Sequence, residues 1–328
     1  MMSDALLEVV DLKKYFPIKM GFFRSIISRE ALFVHAVDGI SFSVKRAEIF
    51  GLAGESGSGK TTTGRVLLKL TEPTSGKIFF EGKDVTSLDS RDFKKYRRRM
   101  QIVFQDPYES LNPRMLIRSI IEEPLLIQGF VGKEMEEKVY KVMEDVQLAP
   151  PEQFLTRFPH ELSGGQRQRV ATARALVLGP EFIVADEPVS MLDVSIRAEI
   201  LNLMTDLREK YNVSFLYITH DLALSRHMCD RIAVMYLGKI MERGDVKSVI
   251  LEPLHPYTRA LIEAVPVPDP TSTRIEVRVK GEIPSPVFPP SGCRFHTRCP
   301  SYIGDICRTK EPALKEVQKE RFVACHLY

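Results

Sequence analysis

The residues best able to do chemistry are GESGSGKT, Gly54 to Thr61, directly behind the apolar run Ile49 to Ala53. They fit the phosphate-loop pattern of two glycines with four residues between them, followed by Lys and Ser or Thr. Glycines let successive backbone N–H groups turn inward as a concave anion nest, where a side chain would block the phosphates. Gly54, Glu55, Ser56, Gly57, Ser58 and Gly59 would form that nest. Lys60 would reach the β- and γ-phosphates as a point charge, and the Thr61 hydroxyl would bind Mg²⁺. A helix opening near Thr62 and running to Leu70 would add its N-terminal dipole. The competing reading is a Gly/Ser turn. Chance matches arise in roughly one chain of this size in a hundred, so the strand before and the helix after decide for a nucleotide site.

Further candidates lie downstream. Gln105 follows a short apolar strand at Ile102 to Phe104. Leu162-Ser163-Gly164-Gly165-Gln166 opens a helix that stops at Gly179-Pro180. Phe182 to Ala185 is apolar without alternation, as in a parallel strand buried on both faces, and Asp186-Glu187 closes it. An acid at the carboxyl end of such a strand sits where these sheets bind ligands, so Asp186 suits Mg²⁺ and Glu187 suits a general base. His220 closes the next apolar strand, Ser214 to Ile218, and is placed to reach a γ-phosphate. Taken singly, His220 also reads as a plain strand-end histidine and Glu187 as a plain exposed acid.

The elements that position these groups follow in order. Strands are expected at Leu6 to Val10, with Phe16 after it, then at Ala36 to Val44 and Gly76 to Gly82. The segment 19–33 between the first two is a basic, apolar insertion, either a surface hairpin loop or a surface that touches a membrane partner. Arg91 to Arg99 reads as a solvated helix face. From about 106 to 178 the periodicity is helical, broken at Pro150-Pro151 and Phe158-Pro159. A long amphipathic helix, Arg197 to Lys210, precedes the Ser214 strand, and a strand pair follows at Arg231 to Val234 and Gly238 to Glu242. Cys229 reads as a small buried hydrophobe inside the helix after His220. Prolines dominate from Pro253 onward, marking a loop-rich tail.

The 328 residues allow one large α/β core and something smaller, and a net charge of +3 demands no polyanionic partner. No apolar run approaches the roughly 20 residues that span a bilayer, and the acid-bearing start is unlike a signal peptide. The reading is a soluble, cytoplasmic chain. Four of its five cysteines, Cys293, Cys299, Cys307 and Cys325, lie in the last 36 residues. A short Pro-rich segment lacks its own core, so the thiols suggest a staple. A disulfide is disfavoured in the cytosol. Zinc usually takes closer-spaced cysteine pairs, and a cubane tolerates uneven spacing. A cluster, zinc and free thiols all remain open.

Together, in this order, the landmarks resemble the ATP-binding-cassette (ABC) ATPases over about residues 5 to 250. LSGGQ at 162–166 looks like the family signature, Gln105 its Q-loop, Asp186-Glu187 its Walker B pair, and Ser190 to Asp193 its D-loop, with Met191 where a small residue is usual. His220 looks like the switch histidine. Phe16 resembles the aromatic residue that stacks on adenine, with Tyr15 as rival. The resemblance implies a P-loop NTPase α/β fold. Its core has a mainly parallel sheet, joined by an antiparallel β subdomain, an inserted helical subdomain and a small Cys-rich tail. The domains would be 1–252 and 253–328. It also implies ATP and Mg²⁺, the latter on Thr61, Gln105 and Asp186, and head-to-tail dimerisation. In that dimer Ser163, Gly164, Gly165, Gln166 and Asp193 serve the partner's nucleotide.

The tail's Leu254-His255-Pro256-Tyr257-Thr258, Gly281 to Pro286 and four cysteines resemble the ATPase subunits of oligopeptide/dipeptide importers. That implies a second cassette, two permease subunits, an extracellular binding protein, and a peripheral place on the cytoplasmic side of the cell membrane. Some importers of this type carry nickel or oligosaccharides, and some members hold a [4Fe–4S] cluster at this cysteine motif. Such a cluster would be structural, leaving ATP binding intact if lost. A ribosome- or DNA-acting cassette is the alternative; it usually shows two cassettes in one chain or a long coiled coil, and nothing here calls for nucleic acid.

Overall fold

The computed structural model describes residues 5–18, 32–89, 91–264 and 281–328. Most of the insertion read at 19–33 therefore lies outside the described residues. The chain divides into two compact units, one comprising residues up to Ser43, Phe50–Ser87 and Ile218 onward, the other Val44–Ile49 with Leu88–Tyr217.

In the first unit, β1 (Ala5–Pro17), β2 (Phe33–Lys45), β4 (Ser75–Phe80) and β5 (Lys83–Asp84) form a sheet in the order β2-β1-β4-β5. Leu7 and Val9 are buried while Glu8 and Val10 face out, the alternation of a half-buried antiparallel strand, and buried Leu12 falls within a register shift between Val10 and Lys13. β1 pairs with β4 antiparallel, Leu7 opposite Phe80 and Val9 opposite Ile78. Because β1 runs on to Pro17, Phe16 lies within the strand rather than after it.

A second ladder in this unit begins at β3 (Ile49–Ala53), whose five residues are all buried. It pairs in parallel with β9 (Arg231–Tyr236), Gly51 beside Ile232. β9 turns back into β10 (Lys239–Asp245) through Leu237 and Gly238, both at positive φ, as tight hairpin turns require. The tail then adds two strands: β12 (Arg321–Val323) pairs antiparallel with β10, and β11 (Lys315–Gln318) with β12. The loop-rich expectation for the tail missed this hairpin. Its anchor is Glu242, fully buried, which receives the Arg321 guanidinium at 2.9 Å and the backbone N–H groups of Leu254 and His255. Removing one partner of such a pair costs about 3–5 kcal/mol, because a buried charge is left uncompensated. The helix after His220 ends at Met228, so Cys229 stands just past it rather than inside it. It is buried as read, with its sulfur beneath Gly51.

In the second unit β6 (Met100–Val103), β7 (Phe182–Asp186) and β8 (Ser214–Thr219) lie in the order β8-β7-β6. β6 and β7 are parallel, Val103 beside Ala185. β7 and β8 are buried throughout, which is why their sequences are apolar without alternation. Helices occupy Ile117–Ile127, Gly132–Asp145 and Gly164–Leu176. The first buries Ile117, Ile120, Ile121 and Leu125, one face at helical spacing. The Gly164–Leu176 helix stops where Gly179, at positive φ, donates its N–H to the Leu176 carbonyl. The helix Val194–Tyr211 ends at Asn212 in the left-handed region. None of the described helices is long and apolar enough to cross a membrane.

Candidate functional site

The loop from Gly54 to Thr61 joins β3 to the helix Lys60–Leu67. Two of its glycines answer to packing. A Cβ at Gly54 would stand 2.2 Å from the Met235 carbonyl oxygen, and one at Gly59 would stand 2.1 Å from that of Ala36. The sequence argument of phosphate access fits Gly57 better: it has open space around it and only its positive φ to constrain it. Lys60 is buried and donates to the carbonyl oxygens of Gly54 at 2.8 Å and Glu55 at 3.0 Å. Its ammonium thus sits over the concave side of its own loop, where an anion would replace those carbonyls. Thr61 and Thr62 are half-buried in the first helical turn, and no side chain caps that end of the helix.

Glu55 is committed elsewhere. Its N–H donates to the Tyr257 hydroxyl at 3.0 Å, and both carboxylate oxygens accept from Arg298, at 2.9 and 3.2 Å. It braces the loop, whereas the sequence reading placed it among the phosphate contacts. Nothing in the spacing of residues pointed to Arg298.

Phe16 and Tyr15 are now distinguishable. The Tyr15 hydroxyl donates to Asp38, and its ring lies 4.3 Å from that of His35. Burial, then that hydrogen bond, raises its phenol above the ordinary range. Phe16 is 38% exposed, with the Lys14 ammonium 4.8 Å from its ring centre. Phe16 is thus the more exposed of the two rings, and Tyr15, half-buried, is engaged by Asp38 and His35. His220 is exposed in the bend after β8; the Thr219 hydroxyl accepts the Asp221 N–H, and the Asp221 carboxylate caps the helix that follows by accepting the Leu224 N–H.

The second unit gathers the remaining candidates. Asp186 ends β7 and is buried. Glu187 follows in the left-handed region at φ 46°, which turns its side chain out of the strand line. The Gln105 side-chain amide donates to the Glu187 carboxylate at 3.3 Å. Ser190 ties the D-loop to the same residue, its N–H and hydroxyl both donating to the Glu187 carbonyl. Asp193 precedes the helix Val194–Tyr211 yet makes no capping bond, and both it and Met191 are exposed.

In the signature, Ser163 and Gln166 form a reciprocal cap: the Gln166 N–H donates to the Ser163 hydroxyl, and the Ser163 N–H to the Gln166 side chain. The Ser163 hydroxyl hydrogen stays available for an outside anion. A Cβ on Gly165 would come within 2.7 Å of Ile196, and one on Gly164 within 3.3 Å of Leu192. The glycines thus let the signature lie against the D-loop and the helix after it, a packing role that the motif alone did not reveal.

In the tail, the Cys293 N–H donates to the Cys307 carbonyl at 2.8 Å. Burial pushes the Cys293 thiol up to about 12, the nearby sulfurs of Cys325, Cys299 and Cys307 adding to it. Burial, the larger cause, and sulfur neighbours also raise Cys299 and Cys325. The four thiols are therefore within electrostatic reach of one another. Among the described residues, however, no group of three or more His, Cys, Asp or Glu is placed to hold a metal ion. Neither the iron–sulfur cluster nor the zinc alternative of the sequence reading is therefore shown by the structure.

The ABC transporter family model matches residues 37–190, and the model for the oligopeptide/dipeptide transporter C-terminal region matches 241–307. The oligopeptide transport ATP-binding protein AppF of Bacillus subtilis (strain 168) is 49% identical over 330 residues, covering 99% of this chain and 98% of its own. The chain belongs to the ABC transporter ATPases. Solved structures agree with the fold of this cassette. CbiO1 of Clostridium perfringens, part of the ABC transporter complex cbiONQ, superposes with a TM-score of 0.65 at 26% identity, covering 76% of this chain and 92% of that one. The cassette MJ0796, a dimer in a post-hydrolysis state bound to ADP and phosphate, gives 0.62 at 28%, covering 73% and 98%. The cassette is an ATPase of α/β class with parallel and antiparallel strands, and AppF's name speaks for transport over the ribosome or DNA reading.

Proposed function

We propose that the cassette powers uptake of oligopeptides, dipeptides or related solutes, nickel and oligosaccharides among them, by ATP-driven closure of two cassettes. The observation that carries this is the 49% identity, over 99% of the chain, with an oligopeptide transport ATP-binding protein. In this reading Lys60 and the loop amides hold the phosphates, and Thr61, Asp186 and Gln105 serve Mg²⁺. Glu187 takes the proton of the attacking water, His220 contacts the γ-phosphate, and Phe16 stacks on adenine. Ser163, Gly164, Gly165, Gln166 and Asp193 engage the nucleotide of a second cassette, either a copy or a paralogue. Exposed Met191 and Asp193 support an outward-facing D-loop.

The pair of cassettes works from the cytoplasmic face on two permease subunits, which receive cargo from an extracellular solute-binding protein. Cys293, Cys299, Cys307 and Cys325 hold a [4Fe–4S] cluster. Its support is the electrostatic effect of Cys325, Cys299 and Cys307 on Cys293, which brings four thiols into one part of the tail, the ligand number a cubane takes. When bound, the cluster supplies a covalent staple to a Pro-rich segment. The test of the transport reading is ATPase activity of the cassettes with their permease in vesicles. Peptide-loaded binding protein should stimulate it several-fold. Stimulation by nucleic acid or ribosomes, with none by any loaded binding protein, would overturn it.

A further inference from the structure

The nucleotide loop is held from outside the ATPase domain. Arg298 lies in the tail, one residue before Cys299, and its guanidinium fork closes on the Glu55 carboxylate with two bonds, at 2.9 and 3.2 Å. Its side chain is only 10% exposed and that of Glu55 26%. The fork is backed by an aromatic wall, with Tyr236 and Phe295 ring centres 5.7 and 5.9 Å away. Tyr257, packed on both rings, accepts the Glu55 N–H through its hydroxyl at 3.0 Å. Arg298 and Tyr257 both fall within the segment matched by the C-terminal-region model, 241–307.

We infer that Arg298, with Tyr257, is a positioning residue for ATP binding: it fixes the start of the phosphate loop and cancels the charge of Glu55 beside the nucleotide site. Two physical effects lead there. A planar bidentate pair admits one geometry, so Glu55 and the peptide units around it are set before the nucleotide arrives. The loop also carries a carboxylate in a place meant for an anionic ligand. A partly buried negative charge left unpaired there opposes polyphosphate binding, and a paired one does not. The tail is therefore part of the nucleotide site's construction. This rests on the reading that the loop of Lys60 binds ATP.

The experiment titrates the full-length chain with MgATP and measures KM and kcat beside the thermal transition. Arg298→Ala should raise Kd and KM about tenfold while kcat at saturating ATP stays within about twofold. Tyr257→Phe, which keeps the ring and loses the acceptor, should raise Kd about threefold. Adding Glu55→Gln to Arg298→Ala should bring Kd back to within about threefold of the parent, because no uncompensated charge remains. Lys319→Ala, at the exposed turn between β11 and β12, should change nothing. Wild-type affinity in Arg298→Ala would overturn the inference, as would a loss that tracks the thermal transition and is not rescued by Glu55→Gln. Lys60→Ala keeps the two readings apart. If it binds MgATP normally, the phosphate-loop reading itself fails; if it does not bind while Arg298→Ala binds normally, only the tail's role is lost.

Discussion

Gln105 and Glu187, 82 residues apart in sequence, meet through one hydrogen bond of 3.3 Å from amide to carboxylate. The bond aims the carboxylate of the proposed base. A hydrogen bond of this kind is worth about 1 kcal/mol, and about 1.4 kcal/mol is tenfold in rate. Gln105→Ala should therefore slow single-turnover hydrolysis about five- to tenfold, with MgATP affinity changed less than about threefold.

The signature makes a different prediction. Ser163→Arg sets bulk and charge where a second cassette's γ-phosphate is proposed to sit, and the exposed Ser163 leaves room for the side chain within its own subunit. ATP-dependent dimerisation, followed by light scattering, should disappear while monomer affinity for ATP stays near normal. Equal loss of both would make the motif a structural cap only.

A pH effect follows from His255, buried completely at the start of the helix Pro256–Glu263. Its Nδ1 accepts the Tyr257 N–H, and burial pushes its pKa from 6.5 down to about 3. The folded chain keeps this ring neutral, whereas the unfolded chain protonates it near 6.5. The stability is therefore fully present above about pH 6.5 and is lost as pH falls from there toward 3, by about 1.4 kcal/mol per pH unit. His255→Asn can still accept the Tyr257 N–H as a helix cap. Urea unfolding at pH 7.5 and 5.5 should show a loss in the parent larger by about 1.4 kcal/mol than in His255→Asn.

The cysteines give a spectroscopic test. Protein purified without oxygen should be brown, with absorbance near about 400 nm and close to four irons per chain. Cys299→Ser should lower the iron and, because Arg298 is its neighbour, also weaken MgATP binding. That departs from the sequence expectation of an ATP site indifferent to the tail. Colourless, metal-free protein whose stability is unaltered by alkylating the four thiols would leave these cysteines without a ligand role.

Much of the core was legible because its signals are local. Ile49–Ala53, Phe182–Ala185 and Ser214–Ile218 are apolar runs bounded by breakers, and all three are buried strands. The loop glycines, Asp186-Glu187 and LSGGQ were found where spacing placed them. What stayed hidden is long-range. The Arg298–Glu55 pair spans 243 residues, and no periodicity announces it. β11 and β12 have four and three residues, too short for a pattern, and exist because β10 offers them an edge. Gly165 read as anion-site glycine, yet its nearest constraint is Ile196 across a helix contact.

The central claim, ATP hydrolysis with Glu187 as base, is tested most directly by Glu187→Gln. Gln keeps the shape and the bond partner Gln105 but accepts no proton. Turnover should fall by about 10²-fold or more while MgATP affinity stays within about threefold, and ATP should hold the variant as a dimer. Hydrolysis at a near-normal rate would contradict the account.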